Sequence, residues 1–301
     1  MALLRARELT KTYGSLRALD LVSFEIDEGI TGLLGSNGAG KSTSLKLFLG
    51  LIEPDGGSAE VLGEDPRRSP EYRARVGYAP EHDCLPRNVS AAEFLAYMAR
   101  ISGLPATAAR LRASDVLRHV GLFEERYRSM GTYSTGMKQR VKLAQALVHD
   151  PVLAFLDEPT AGLDPLGRRD MLELIRRVGR EFGISIVIST HLMGDVERTC
   201  DAVVVLRDGR VAAQGRISEL RGREAGSARI SAVGDLGALR AALTARGVRV
   251  EDGEEGWLAV HGDPAMLPDA VRDACAETDV SLRALLPGDR TLEDAVIGAI
   301  A

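Results

Sequence analysis

Short apolar segments alternate with stretches of helical periodicity over most of the chain. Residues 30–34, 152–156 and 184–189 are largely apolar, which is typical of strands buried on both faces of a parallel sheet. Residues 18–26 instead alternate apolar and polar positions over much of their length, as a half-buried strand does. The pattern predicts an α/β fold with a mixed, mainly parallel sheet core and an antiparallel β part near the N-terminus.

Turn and capping signals place the remaining elements. Ser90 and Glu93 form a capping box that opens one helix, and Pro105 precedes a second helix, so the two form a mostly helical insert at about residues 86–130. Asp208-Gly209 is a strong hairpin signal. The predicted strands are residues 3–9, 18–26, 30–34, 58–62, 74–78, 152–156, 184–189, 202–206 and 211–214. The predicted helices are residues 41–51, 90–100, 106–120, 138–148 and 165–182.

The character of the chain changes at residues 221–227, which are polar and glycine-rich and are interpreted as a linker. This predicts two domains, residues 1–220 and residues 221–301. The second is predicted to be a small α+β domain, ferredoxin-like in element order. Its predicted strands are 228–233, 248–251, 257–261 and 281–285, and its predicted helices are 236–246, 265–275 and 292–300.

Composition narrows the classes of function. The 301 residues carry a formal net charge of −5, which gives no electrostatic case for nucleic acid. Cys84, Cys200 and Cys275 fit neither a metal-ligand spacing nor a disulfide framework, which favours a reducing compartment. No segment reaches the roughly 18–20 apolar residues that span a bilayer, and the N-terminus lacks the apolar stretch of a signal peptide. We expect a cytoplasmic protein whose membrane contact comes through a partner.

A phosphate-binding loop follows the strand at residues 30–34 and opens the next helix, the context that such a loop requires. Its backbone N–H groups and the helix N-terminus would hold phosphates. Lys41 would contact the β- and γ-phosphates and Ser42 would bind Mg²⁺. A glycine-rich turn without a ligand is the alternative. The predicted loop residues are Gly35, Ser36, Asn37, Gly38, Ala39, Gly40, Lys41, Ser42 and Thr43.

Two carboxylates end the apolar strand at residues 152–156. Side chains at this position reach the crevice where open α/β sheets bind ligands. Asp157 would hold Mg²⁺, directly or through water, and Glu158 would act as general base on the attacking water. The alternative is a pair of helix N-terminal charges before Pro159.

The segment of residues 133–140 precedes a helix, with Ser134 and Gly136 placed for a cap and an anion site. A capped helix start explains this segment equally well when it is taken alone. Its position one helix before the acidic strand favours the anion site over a simple capped helix start.

These motifs resemble, in order, those of the ATP-binding cassette ATPases over residues 3 to about 215. By that resemblance, Ser134 and Gly136 belong to the signature that faces the γ-phosphate of the partner subunit's nucleotide. Asp164, in residues 161–164, matches the D-loop that meets the partner. His191 matches the switch histidine on the γ-phosphate, and Tyr13 matches the aromatic that stacks on adenine.

The chain departs from the family pattern at two places. The signature has Thr135 for the usual first glycine and Met137 for glutamine, while Ser134 and Gly136 are kept. Glu81 stands where the family usually has the glutamine that links Mg²⁺ to the transporter interface, although some exporter subfamilies carry glutamate there. Glu81 is therefore assigned as a metal-side residue.

The resemblance implies an ATPase that uses ATP and Mg²⁺. It would dimerise on ATP, as a homodimer or a cassette heterodimer, and drive integral membrane permease subunits from the inner face of the cell membrane. The insert would receive a permease helix. Phe94, Leu95 and Tyr97 are candidate lining residues, and a place in the core is an equal alternative for them. Residues 290–297 resemble the ending of prokaryotic drug and antibiotic exporter ATPases, which favours export.

Three other functions stay open. An importer subunit is the main rival, and mainly the tail separates it from an exporter. A cassette ATPase acting on ribosomes or DNA would usually carry two cassettes or a long coiled coil, and neither is present in this sequence. An interaction protein with a dead nucleotide site is disfavoured by the intact Lys41, Asp157, Glu158 and His191.

Overall fold

The computed structural model describes residues 2–221, 223–253 and 257–289. These residues form two compact units, which divide between Ile217 and Ser218. Each unit has its own apolar core, and each is described separately below.

The first unit contains two sheets. Its strands are β1 (Leu4–Tyr13), β2 (Leu16–Ile26), β3 (Ile30–Leu34), β4 (Gly56–Val61), β5 (Val76–Ala79), β6 (Leu153–Asp157), β7 (Ser185–Thr190), β8 (Ala202–Arg207) and β9 (Arg210–Arg216). The six-stranded central sheet has the order β5-β6-β7-β3-β8-β9. All neighbours in it are parallel except β8 and β9, which form an antiparallel hairpin. The smaller antiparallel sheet has the order β2-β1-β4. The predicted α/β class, with an antiparallel N-terminal part, is confirmed.

The helices of the first part of the chain connect these strands. They are α1 (Lys41–Phe48), α2 (Ala91–Ile101), α3 (Ala106–His119), α4 (Thr135–Leu147), α5 (Pro165–Phe182), α6 (Met193–Thr199) and α7 (Ile217–Arg221), with short 3₁₀ turns at Pro70–Arg75 and Met130–Thr132. Phe48 of α1 lies between Phe24 of β2 and Phe155 of β6, at ring distances of 5.7 and 6.4 Å. Helix α1 therefore packs between the two sheets and places the loop before it at their junction.

Several element ends differ from the sequence prediction for local reasons. Helix α1 ends at Phe48 rather than at residue 51, because Gly50 adopts a left-handed φ of 62° just beyond the helix. Helix α4 begins at Thr135 rather than at residue 138, because the Ser134 side chain caps it. Helix α6 was not predicted. Its seven residues are too few to show a helical period.

The helical insert between β5 and α4 is confirmed as α2 and α3. The predicted capping box is present: Ser90 Oγ accepts from the Glu93 N–H, and the Glu93 carboxylate accepts from the Ser90 N–H. Leu95 is fully buried and belongs to the core, so it is not a groove residue. Tyr97 is exposed, as expected for a lining residue.

The second unit follows the element order β10 (Arg223–Val233), α8 (Leu236–Ala245), β11 (Arg249–Asp252), β12 (Trp257–His261), α9 (Leu267–Glu277) and β13 (Ser281–Asp289). Its antiparallel sheet has the order β11-β12-β10-β13, which confirms the ferredoxin-like arrangement. The linker prediction was partly wrong, because β10 already begins at Arg223. The helix predicted at residues 292–300 and the tail at 290–297 lie outside the described residues.

No helix within the described ranges is both long and apolar enough to cross a bilayer.

Candidate active site

The loop between β3 and α1 has a backbone that only glycine allows at key points. Gly40 takes a φ of 103°, and a β-carbon there would lie 2.6 Å from Leu19 Cδ2 and 2.7 Å from the Ala18 carbonyl oxygen. A β-carbon at Gly35 would lie 2.4 Å from the Leu206 carbonyl oxygen. The loop is therefore wedged between the strands around it, with the N-terminus of α1 at its end.

Lys41 is held inside this loop. Its Nζ donates to the carbonyl oxygens of Gly35 at 2.7 Å and Ser36 at 3.2 Å. The same ammonium lies 3.7 Å from Glu158 Oε1, and both side chains are buried. The loop thus fixes a positive charge beside the end of β6.

A cleft of about 480 Å³ opens over the loop. It brings together predicted residues from five separate segments of the chain: Tyr13, the loop itself, Glu81, Glu158 and His191. Leu16, Ala18 and Ala161 complete the wall and were not predicted. The predicted residues that line the cleft are Tyr13, Asn37, Gly38, Gly40, Lys41, Ser42, Thr43, Glu81, Glu158 and His191.

Glu158 and His191 form a direct pair at the edge of this cleft. His191 Nδ1 lies 3.1 Å from both carboxylate oxygens of Glu158. Glu158 has a left-handed φ of 46°, and its N–H donates to the Ser189 carbonyl oxygen at 2.9 Å. Such a backbone in a non-glycine residue costs about 1–3 kcal/mol and clusters at functional sites. This backbone conformation directs the carboxylate toward Lys41 and His191.

Asp157 lies at the end of β6, just behind the cleft wall. Its side chain is buried, and Oδ1 has no hydrogen-bond partner in the described part of the chain. A buried, unpartnered carboxylate oxygen is costly unless a cation satisfies it. Burial, and then the Asp157 charge, raises the pKa of the neighbouring Tyr78 to about 12. Mg²⁺ prefers hard oxygen ligands. Asp157 offers such oxygens, and so do the Ser42 hydroxyl and the Glu81 carboxylate in the cleft.

Lys142 of α4 holds the loop that carries Glu81. Its buried Nζ donates to the carbonyl oxygens of Pro80 and Glu81, each at 2.8 Å. Burial lowers the pKa of Lys142, opposed by surrounding negative groups that include Glu81 and Asp157. Lys138, one turn earlier, pairs with Asp83 at 2.8 Å. Sequence reasoning missed this role, because the carbonyl partners of Lys142 lie on a distant segment of the chain.

Ser134, Gly136 and Asp164 do not line the cleft. Ser134 accepts from the Met137 N–H at 3.3 Å, and Asp164 accepts from the Gly167 N–H at 3.0 Å, so each caps a helix. Gln139 Nε2 donates to the Ala161 carbonyl oxygen at 3.0 Å and ties α4 to the loop before Asp164. The start of α4 and the loop before Asp164 therefore lie side by side, and Ser134, Gly136 and Asp164 stay outside the lining of the cleft that holds Lys41.

Comparison with known proteins identifies the family to which the chain belongs. A family model described as "ABC transporter" matches residues 19–161. The ABC transporter ATP-binding protein YxlF of Bacillus subtilis is 37% identical over 220 residues, which are 73% of this chain and 72% of the relative. The chain belongs to the ATP-binding subunits of ABC transporters.

Other relatives of this ABC ATPase extend the match. The Nod factor export ATP-binding protein I of Ralstonia nicotianae is 36% identical over 273 residues, 90% of this chain and 85% of that protein. The bacitracin transport protein BcrA of Bacillus licheniformis is 38% identical over 211 residues, 69% and 68% of the two chains. A solved ATP-binding subunit of an ABC transporter is 34% identical with a TM-score of 0.64 and covers 73% of this chain and 92% of its own. The predicted family and its ATPase class are confirmed.

A second buried network in this ABC ATPase was not predicted. Asp195 of α6 accepts from Thr160 Oγ1 at 2.8 Å and pairs with Arg168 of α5 at 3.2 Å. Thr160 and Asp195 are both buried. The network therefore anchors the loop between Glu158 and Asp164. No sequence signal reveals it, because the partners lie on elements that only the fold brings together.

Proposed function

We propose that this ABC ATPase binds ATP with Mg²⁺, dimerises on it, hydrolyses it with Glu158 as general base, and so drives export through separate membrane permease subunits. The carrying observation is that Lys41, Glu158 and His191 converge in one cleft, while Ser134 and Gly136 lie outside it. A single chain therefore presents two complementary halves of a site.

Nucleotide binding uses the loop and α1. The backbone N–H groups of the loop and the positive end of α1 favour phosphate, and Lys41 adds a full charge. Tyr13, 45% exposed at the cleft rim, is placed to stack on the base. Together, these groups would bind both the phosphates and the base of a nucleotide.

Hydrolysis needs a base beside the γ-phosphate. Glu158 is buried and held by its backbone and by His191, so its carboxylate can accept a proton from an attacking water. Asp157, Ser42 and Glu81 would hold Mg²⁺, which supplies charge neutralisation on the phosphate oxygens when it is bound. His191 keeps Glu158 oriented while its other ring nitrogen, Nε2, is free to face the phosphate.

Dimerisation explains the exposed N-terminus of α4. Ser134 is exposed at the start of a 13-residue helix, a position that attracts anions. Nothing in the described part of the same chain brings a nucleotide phosphate to it. Across a two-fold axis, the signature of one chain would meet the nucleotide held by Lys41 of the other, with Asp164 and the exposed Leu166 at the interface.

The permease would dock on the insert. A groove of about 520 Å³ runs between α2, α3 and the following loop. Tyr97 and Tyr127 in it are 61% and 72% exposed, and Arg100, Arg110 and Arg126 also line it. Glu93 also lines the groove, but its carboxylate is hydrogen-bonded to Ser90. In a chain of net charge −5, this mainly basic and aromatic patch fits an acidic amphipathic helix of a membrane partner. Relatives named for Nod factor export favour export as the direction.

The dimeric mechanism is tested by the dependence of Mg²⁺-dependent ATPase activity on protein concentration. Turnover per chain should rise with protein concentration and then level off as dimers fill, with Lys41→Ala as the inactive control. Turnover per chain that stays constant down to dilute protein would contradict the dimeric mechanism.

A further inference from the structure

One face of α4 lies along β5 and the loop that carries Glu81. The face consists of Lys138, Lys142 and Ala146, spaced by four residues. A β-carbon on Gly77 of β5 would lie 1.9 Å from the Ala146 carbonyl oxygen, so the two backbones are in direct contact. Helix, strand and loop are thus packed together as one body by backbone contact and by hydrogen bonds from α4.

Lys142 is the central link in this body. Its ammonium is buried, and burying such a charge is unfavourable unless it is fully hydrogen-bonded. Its two hydrogen bonds go to consecutive carbonyl oxygens, those of Pro80 and Glu81, at 2.8 Å each. Two bonds to adjacent peptide groups fix the direction of the chain at Glu81, whereas the Lys138–Asp83 pair lies at the surface and contributes little.

The charge of the Glu81 side chain gives a reason for the buried ammonium of Lys142. Glu81 lines the nucleotide cleft, where it adds a negative charge to the one that Glu158 brings to the same lining. A buried ammonium on the backbone of the same loop offsets the added charge without entering the cleft.

We propose that Lys142 is a positioning residue that locks the Glu81 loop to α4, so that displacement of the signature at the start of α4 reaches the nucleotide cleft through Glu81. The link to hydrolysis rests on the proposed function. The lock itself is a property of the single chain.

A native cysteine can be used to measure how firmly the Glu81 loop is held to α4. Cys84 lies in the Glu81 loop and is exposed, while Cys275 is buried and Cys200 is half-buried. Burial raises the pKa of the Cys84 thiol and the Lys142 charge lowers it, so the rate of modification by a maleimide is measured without nucleotide over a range of pH. The limiting rate of the full thiolate then reports how firmly the loop is held. Cys84→Ala identifies the labelled site.

Lys142→Met removes both hydrogen bonds while keeping most of the side-chain volume. The limiting labelling rate of Cys84 should rise by about tenfold, because a loop that is held less firmly lets the partly desolvated thiol reach the reagent more often. In the ATPase assay kcat should fall by about tenfold while KM for ATP stays within about twofold, because Lys142 does not touch the nucleotide. Lys142→Arg should restore most of both properties, since a guanidinium can donate to two carbonyl oxygens.

Lys46→Met is the matched control, because Lys46 lies on the exposed face of α1. It should change neither labelling nor kcat. Lys138→Met should raise Cys84 labelling less than Lys142→Met does. Unchanged Cys84 labelling in Lys142→Met would overturn the proposal, and so would equal increases for Lys138→Met and Lys142→Met. If labelling rises as expected while turnover shows no dependence on dimer formation, the lock stands and the proposed function fails.

Discussion

At the scale of single residues, the cleft depends on a glutamate held in a left-handed backbone conformation. Glu158 keeps this conformation because its N–H bonds to Ser189 and its carboxylate faces His191 and Lys41. The strain of about 1–3 kcal/mol is offset by packing at the junction of β6 and β7. The result is a carboxylate that is buried, oriented and close to the positive charge of the phosphate loop.

Glu158→Gln tests this assignment. The amide keeps the shape of the side chain but cannot accept the proton of water, so hydrolysis should fall by about 10²–10⁴-fold. ATP binding should persist, and the variant should accumulate as an ATP-bound dimer. Single-turnover hydrolysis and sedimentation with ATP measure the two effects.

The matched control is Glu173→Gln, a change at an exposed glutamate of α5. It should leave turnover and sedimentation at wild-type values. Near-normal turnover by Glu158→Gln would show that another group is the base.

How far single residues could be predicted depends on how local their signal is. The phosphate loop and Asp157–Glu158 carry their context in adjacent residues, and the structure places Lys41, Glu158 and His191 together. Lys142 and Asp195 were missed because their partners, Glu81 and Thr160, lie on other elements. A buried polar contact between distant segments leaves no periodic pattern in the sequence.

At the scale of elements, the insert shows what periodicity can and cannot predict. The capping box of Ser90 and Glu93 placed the start of α2 correctly. Periodicity alone did not separate the core residue Leu95 from the groove residue Tyr97, because both are apolar or aromatic. The start of β10 inside the predicted linker was missed because strand pairing stabilises a polar, glycine-containing segment there.

The groove on α2 and α3 gives a prediction at this scale. Arg100→Glu with Arg110→Glu should reduce stimulation of the ATPase by the co-purified permease, because both arginines are exposed in the groove and would then repel an acidic partner helix. Basal turnover of the isolated chain should stay at the wild-type value, since neither residue lines the nucleotide cleft.

Arg180→Glu, at an exposed position near the end of α5, is the control for the change in charge. Stimulation should survive this substitution. Full stimulation of the groove variant, or equal loss in the control, would place the permease contact elsewhere.

At the scale of the whole molecule, each chain presents a phosphate loop and a signature that do not meet. Lys41 lies in the cleft, while Ser134 caps α4 outside it and contacts the region before Asp164 only through its neighbours. The family resemblance already assigns the two motifs to different chains of a pair, and the fold leaves Ser134 outside the lining of the cleft that holds Lys41. The separation is the physical reason to expect two chains in every working assembly.

The most direct test of this account mixes two variants that are each inactive. Lys41→Ala disables the phosphate loop, and Ser134→Arg disables the signature. In a mixed dimer one site combines the intact loop of one chain with the intact signature of the other. ATPase activity should therefore return on mixing, up to roughly a quarter of the wild-type rate, since half of the dimers are mixed and each has one complete site. A mixture as inactive as its two components would contradict the composite site.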